Sequence, residues 1–186
     1  MRSNLIEKLE NYIGTEEENR CIKPIMHLLQ KQDCFYRTCF IPGHITGSAI
    51  LCNQTMDKIL LNHHKIFNKW LCFGGHADGD ENIKNVALRE TIEESGYSEN
   101  EIEFAISDIF DIDIHLIAEN KGKNEPEHSH FDFVFLLQLK EKTSLDFKVS
   151  EESIDLKWCT LTEALELVRD DQRMIRIIHK LKTLTK

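Results

Sequence analysis

Apolar residues recur at helical spacing in two N-terminal stretches: Leu5, Ile6, Leu9, Tyr12 and Ile13, then Ile22, Ile25, Met26 and Leu29. That rhythm predicts two amphipathic helices within residues 1–32. Glu16, Glu17 and Glu18 suit the start of the second, because carboxylates favour a helix N-terminus. Pro42-Gly43 closes the connection. From His44 onward the pattern changes to short apolar runs, which predict strands at 45–52, 58–63, 70–73, 102–110, 111–117, 129–139 and 156–159. Gly74-Gly75 is expected to stop the third of these. Between them the 3.6-residue period returns at 81–95, with Gly96 as a C-terminal stop. It returns again at 161–169 and 173–184, the last with Met174, Ile177, Ile178, Leu181 and Leu184 on one face. Residues 118–128, with Gly122 and Pro126, read as a polar loop. Helices and strands mix without regular βαβ alternation, which predicts an α/β fold with a mixed sheet and helices packed on it.

Composition narrows the class. The 186 residues are 41% hydrophobic and 30% charged, with eight Gly and three Pro, as in a folded globular domain with a modest extension. No apolar stretch is long enough to cross a bilayer. The N-terminus breaks into charge at once, so no signal-peptide core is seen and a cytoplasmic location is expected. The six cysteines form neither a CxxC pair nor a zinc-ligand spacing and read as structural. The formal net charge is -9, from 23 Lys+Arg against 32 Asp+Glu, without any basic block. That excludes bulk nucleic acid and anionic membranes as expected partners. A small polyanion remains open if divalent cations stand between it and the protein.

The helix at 81–95 carries the candidate chemistry. Ile83, Val86 and Ala87 fall on one face, and Glu90, Glu93 and Glu94 continue it at i, i+3 and i+4. Three like charges at these spacings repel. Either they form a solvated acidic face, or a hard cation relieves them; Mg²⁺ takes oxygen ligands and is typically shared with substrate phosphates. The wider pattern is Gly75, five residues, Glu81, seven residues, then Arg89-Glu90-x-x-Glu93-Glu94-x-Gly96. It resembles the Nudix (MutT-like) box at all seven fixed positions across 22 residues. Thr91 and Tyr97 depart from it only at packing positions.

The resemblance covers about residues 44–170 and implies a Nudix fold: an α/β/α sandwich in which residues 1–43 are an N-terminal helical extension to a domain at 44–186. It implies a pyrophosphohydrolase that cleaves a diphosphate linkage in a nucleoside diphosphate derivative or similar phosphate-rich small molecule. Glu90, Glu93 and Glu94, with the Gly75 carbonyl, are expected to hold Mg²⁺ (Mn²⁺ as a substitute), and Glu90 and Glu93 to be catalytic. Gly74, Glu81, Arg89 and Gly96 support the box, with Arg89 and Glu81 as a structural pair. The general base is drawn from the box or from a distant loop, where Glu125, Glu127, Glu151 and Glu152 are candidates. The reading is compatible with a homodimer.

A second pattern lies outside the box. Asp111, Asp113 and His115 share one strand face, as do His128, His130 and Asp132. If the two segments pair, these sets meet, with His76 nearby. They form the polar outer faces of half-exposed strands, a substrate-pocket wall that Glu127 and Glu152 join, or a site for a softer metal bound by His and Asp. Accessory motifs that would name a substrate are absent. Two other classes stay open: a Nudix-fold isomerase, for which Cys72 is the nearest thiol, and a non-catalytic Nudix-fold nucleotide sensor.

Overall fold

The computed structural model describes residues 1–149 and 153–184. The chain begins with two helices, α1 (Arg2–Glu10) and α2 (Glu16–Leu28). The acidic start of α2 is a capping box. The Thr15 hydroxyl accepts from the Glu18 N–H, and the Glu18 carboxylate accepts from the Thr15 N–H. Strands β1 (Gly43–Cys52), β2 (Lys58–His64), β3 (Lys69–Leu71) and β4 (Phe73–His76) lead to α3 (Ile83–Ser95). Then come β5 (Ile102–Phe104), β6 (Asp111–Ile117), β7 (His128–Leu139), β8 (Ser153–Thr160), α4 (Leu161–Leu167) and α5 (Gln172–Leu184).

Among the described residues the strands form one mixed sheet organised on β1 and β7, which run parallel. Every residue of β1 is buried, as expected for a parallel strand covered on both faces. β1 also takes β4 along its first half and touches β2 at its end. β7 carries β5 and β6, while β2 carries β3 and β8. One face buries Ile45, Leu51, Phe133 and Phe135 with Leu9, Ile25 and Leu28 of the N-terminal helices and Val86 and Ala87 of α3. The opposite face buries Ile50, Val134 and Leu136 with Ala164 of α4 and Met174, Ile177, Ile178 and Leu181 of α5. This is the α/β/α sandwich expected from the sequence.

Three boundaries differ from the sequence pattern. The run at 70–73 is two strands broken at Cys72, and β4 passes through Gly74-Gly75 instead of ending there. The double glycine pairs with Ser48 and Gly47, so it serves as paired strand rather than as a turn. The run at 102–110 holds a strand only over Ile102–Phe104, after which the chain bends through Ser107-Asp108 and rejoins β7 at Phe110. No helix among the described residues is long and apolar enough to cross a membrane.

Candidate active site

The geometry starts with α3. Its first turn is capped by the Asn82 side chain, which accepts from the Asn85 N–H, and it ends at Gly96 in the left-handed region, φ 75°. The apolar first half of the helix is clamped to the sheet, which carries Glu90, Glu93 and Glu94 to the β4 side. Glu94 is buried and accepts from the Gly74 N–H at 3.3 Å. Glu90 is half-buried, with its carboxylate against Gly75. A methyl group on residue 75 would lie 2.4 Å from the Glu90 carboxyl carbon, so the absent side chain is what admits the carboxylate. Glu93 is exposed. Carboxylates on successive positions of one helix face, two of them beside backbone kept clear of side chains, make a donor set that fits a hard divalent cation.

Arg89 pairs with Glu90 at 3.0 Å and donates to the His76 carbonyl at 3.1 Å, tying α3 to β4. The sequence suggested that Arg89 and Glu81 form a pair. Glu81 is instead engaged by Arg2 of α1, at 2.8 Å. Arg37 was not singled out from the sequence. It holds Asp78 through Nε at 2.7 Å and Nη2 at 2.5 Å, and Asp78 raises its pKa, with Glu125 and Glu90 adding smaller contributions. It therefore lies within electrostatic reach of both the box and the loop after β6.

The His/Asp strands do pair. In the β6–β7 ladder Asp113 opposes Asp132 and His115 opposes His130. The carboxylates are taken up by α5. Asp132 accepts from Thr46 Oγ1 at 2.7 Å and Ser48 Oγ at 3.0 Å and pairs with Arg173. Asp111 pairs with Arg176 at 2.7 Å. Asp113 is shared by His115, Arg176 and Arg173. Burial pushes its carboxyl up, but the hydrogen bond from His115 and the charges of Arg173 and Arg176 outweigh burial and hold it at about 2. The imidazoles gather at the neighbouring end of the same face. The ring of His130 lies 5.2 Å from that of His76 and 4.8 Å from that of His44, a residue the strand pattern alone did not bring forward.

Of the distant general-base candidates, Glu125 closes a backbone bridge with Asn120 and Glu127 is exposed in the same loop. Glu151 and Glu152 lie outside the described residues. Cys72 is buried, and burial pushes its thiol up to about 11, which suits a packing role rather than acid–base work at neutral pH.

A family model for the NUDIX domain matches residues 43–181, and the chain belongs to that family. It is a hydrolase that splits diphosphate linkages in small molecules, of a class that generally needs a divalent metal ion. A protein of Lactococcus lactis subsp. cremoris described as a probable DHNTP pyrophosphohydrolase is 28% identical over 143 residues, covering 76% of this chain and 82% of its own. The asymmetrical bis(5'-nucleosyl)-tetraphosphatase of Mus musculus is 26% identical over 117 residues, 63% of this chain and 73% of that one. Among solved structures, a binary complex of a C. elegans Ap4A hydrolase superposes with a TM-score of 0.59 at 21% identity, covering 75% of this chain and 96% of the other. A NUDIX-family hydrolase from Clostridium perfringens superposes with a TM-score of 0.51 at 25% identity, covering 76% and 97%.

Proposed function

We infer that the chain cleaves a phosphoanhydride bond in a small organic di- or polyphosphate, with Glu90, Glu93 and Glu94 holding Mg²⁺, or Mn²⁺ in its place. The observation that carries this reading is the approach of the Glu90 carboxylate to Gly75, with Glu94 on the adjacent Gly74 N–H. A bound ion would neutralise the diphosphate and lower the pKa of an attacking water. The protein's own part is to keep the carboxylates aimed. Arg89 fixes Glu90 against β4, and the Gly74 N–H orients Glu94. Glu93, exposed at the helix surface, is free to meet the substrate side. Arg37, within electrostatic reach of Glu90 and Glu125, is the cation this reading assigns to an entering phosphate.

The names of the relatives favour an organic triphosphate or a dinucleoside polyphosphate as substrate. Residues 1–43 are read as an extension that completes one layer of the 44–186 domain, because Leu5, Leu9, Ile25 and Leu28 share its core. The free cysteines suit a reducing compartment such as the cytoplasm. The test is incubation with Mg²⁺ or Mn²⁺ and a panel of nucleoside triphosphates, pterin triphosphates and dinucleoside polyphosphates, with products read by mass. Cleavage into two phosphate-bearing products supports the reading. Mass-neutral conversion or unchanged ligand across the panel would replace it with the isomerase or the sensor.

A further inference from the structure

Five imidazoles gather on the α5-side face of the sheet, on strands β1, β4, β6 and β7. His44 and His130 are register partners across the parallel β1–β7 pair, and His115 opposes His130 across β6–β7. His76 projects from β4, where it opposes Thr46. The rings of His44, His76 and His130 lie 4.8 to 5.2 Å apart, and one nitrogen from each falls within 4.8 Å of the other two.

We propose that His44, His76 and His130 form a second metal site, distinct from the α3 carboxylates, for a divalent transition ion of the zinc class. Three observations carry it. His44 is only 1% exposed, and its Nε2 has no hydrogen-bond partner among the described residues. Its Nδ1–H donates to the Cys39 carbonyl at 3.2 Å, which selects the tautomer that leaves a lone pair on Nε2. The Nε2 of His130 is likewise buried without a partner. Two buried, orphaned ring nitrogens in one cluster are unusual unless something binds both.

The charge setting points the same way. The carboxylates on this face are committed to Arg173, Arg176, Thr46 and Ser48, which leaves a nitrogen-only donor set. Imidazole nitrogens favour zinc-class ions, whereas Mg²⁺ requires oxygen. A tetrahedral zinc site sets its nitrogens about 3.3 Å apart, so the rings need to close by roughly 1.5 Å at most, within reach of side-chain rotation. Three imidazoles leave a coordination position open. His128, whose Nδ1–H donates to the Pro126 carbonyl and whose ring lies 4.9 Å from that of His44, borders it.

This site stands on its own residues and does not depend on the diphosphate reading. The test titrates metal-free protein with Zn²⁺, and separately with Co²⁺, in millimolar Mg²⁺ so that oxygen sites are occupied. The expected result is one equivalent bound per chain and intense Co²⁺ ligand-field bands of a nitrogen-rich, low-coordinate site. Side-chain ¹⁵N spectra of the unmutated protein should show three imidazoles shifting together. His76→Gln and His130→Gln should each weaken Zn²⁺ at least tenfold, while Glu93→Gln leaves it unchanged. The proposal is overturned if Zn²⁺ binds no better than Mg²⁺, or if binding shifts none of these imidazoles. It is equally overturned if Glu93→Gln abolishes binding while the histidine variants keep it. Should the variants fail to fold, the spectra of the unmutated protein decide alone.

Discussion

Gly75 makes the clearest separation between folding and chemistry. An added methyl group meets only the far end of the flexible Glu90 side chain, so the fold can yield cheaply by swinging the carboxylate away. We expect Gly75→Ala to shift the melting temperature by only a few degrees, roughly 1 kcal/mol or less. Divalent-metal affinity should fall at least tenfold, as read by titration calorimetry. Equal losses of stability and affinity would mean that the backbone, not the carboxylate, gives way. Residue-scale chemistry was legible in the sequence where spacing is local, as in Glu90, Glu93 and Glu94 on one helix face. His44 was not. Its neighbours on the shared face come from β7, 86 residues away in register, and a parallel pairing leaves no local pattern to read.

At the scale of elements, α5 does more than its apolar stripe shows. Arg173 and Arg176 sit beside that stripe and neutralise buried carboxylates of β6 and β7. Asp111 is fully buried, so removing Arg176 leaves its carboxylate only the more distant Lys180, at 3.6 Å. Arg176→Met is expected to cost about 3–5 kcal/mol in denaturant unfolding; a loss below 1 kcal/mol would show that Asp111 does not need its partner. One turn on, Lys180 reaches back to Glu18, Tyr12 and the Phe110 carbonyl, joining α5 to the N-terminal helices. Burial works against the Glu18 carboxylate, but hydrogen bonds from Lys180, Tyr12 and the Thr15 N–H outweigh it and hold the pKa at about 2, below its usual 4.5. A depressed carboxylate stabilises the fold fully above the unfolded pKa and loses that contribution as pH falls through the folded one. Stability should therefore drop between about pH 4.5 and pH 2, by roughly 3 kcal/mol from this group. Glu18→Gln should flatten that part of the profile; an unchanged profile would remove Glu18 from the account. The helices themselves were legible from periodicity, whereas the β6–β7 pairing entered only as a condition, which the ladder meets. The ion pairs were not, because Arg residues flanking an apolar stripe look the same whether they face water or a buried Asp.

For the whole molecule, the net charge of -9 is set against a diphosphate substrate, and the proposed bound cations would reconcile the two. The strand order that makes this work is non-local. β1 lies between β7 and β4, so the double glycine, α3 and the histidine face are brought together by pairings that sequence periodicity cannot reveal. The N-terminal extension is also a whole-molecule matter. Leu5, Leu9, Ile25, Leu28 and Leu29 are fully or nearly buried against the sheet. At about 1.5–3 kcal/mol per buried apolar side chain, their loss is comparable to the total stability of a domain. A chain beginning at residue 44 is expected to lack a cooperative thermal transition. A transition within a few degrees of the full chain would make the extension dispensable to the fold.

The α3 carboxylates are proposed to hold a divalent metal that drives diphosphate hydrolysis. The most direct test is ³¹P NMR of a cleavable panel substrate with Mg²⁺, comparing the full chain with Glu93→Gln. Glu93 is exposed, so the variant should stay folded. The expected result is turnover that chelator abolishes in the unmutated protein and a loss of at least a hundredfold in the variant, with circular dichroism unchanged. Undiminished turnover in a folded Glu93→Gln protein would contradict the account.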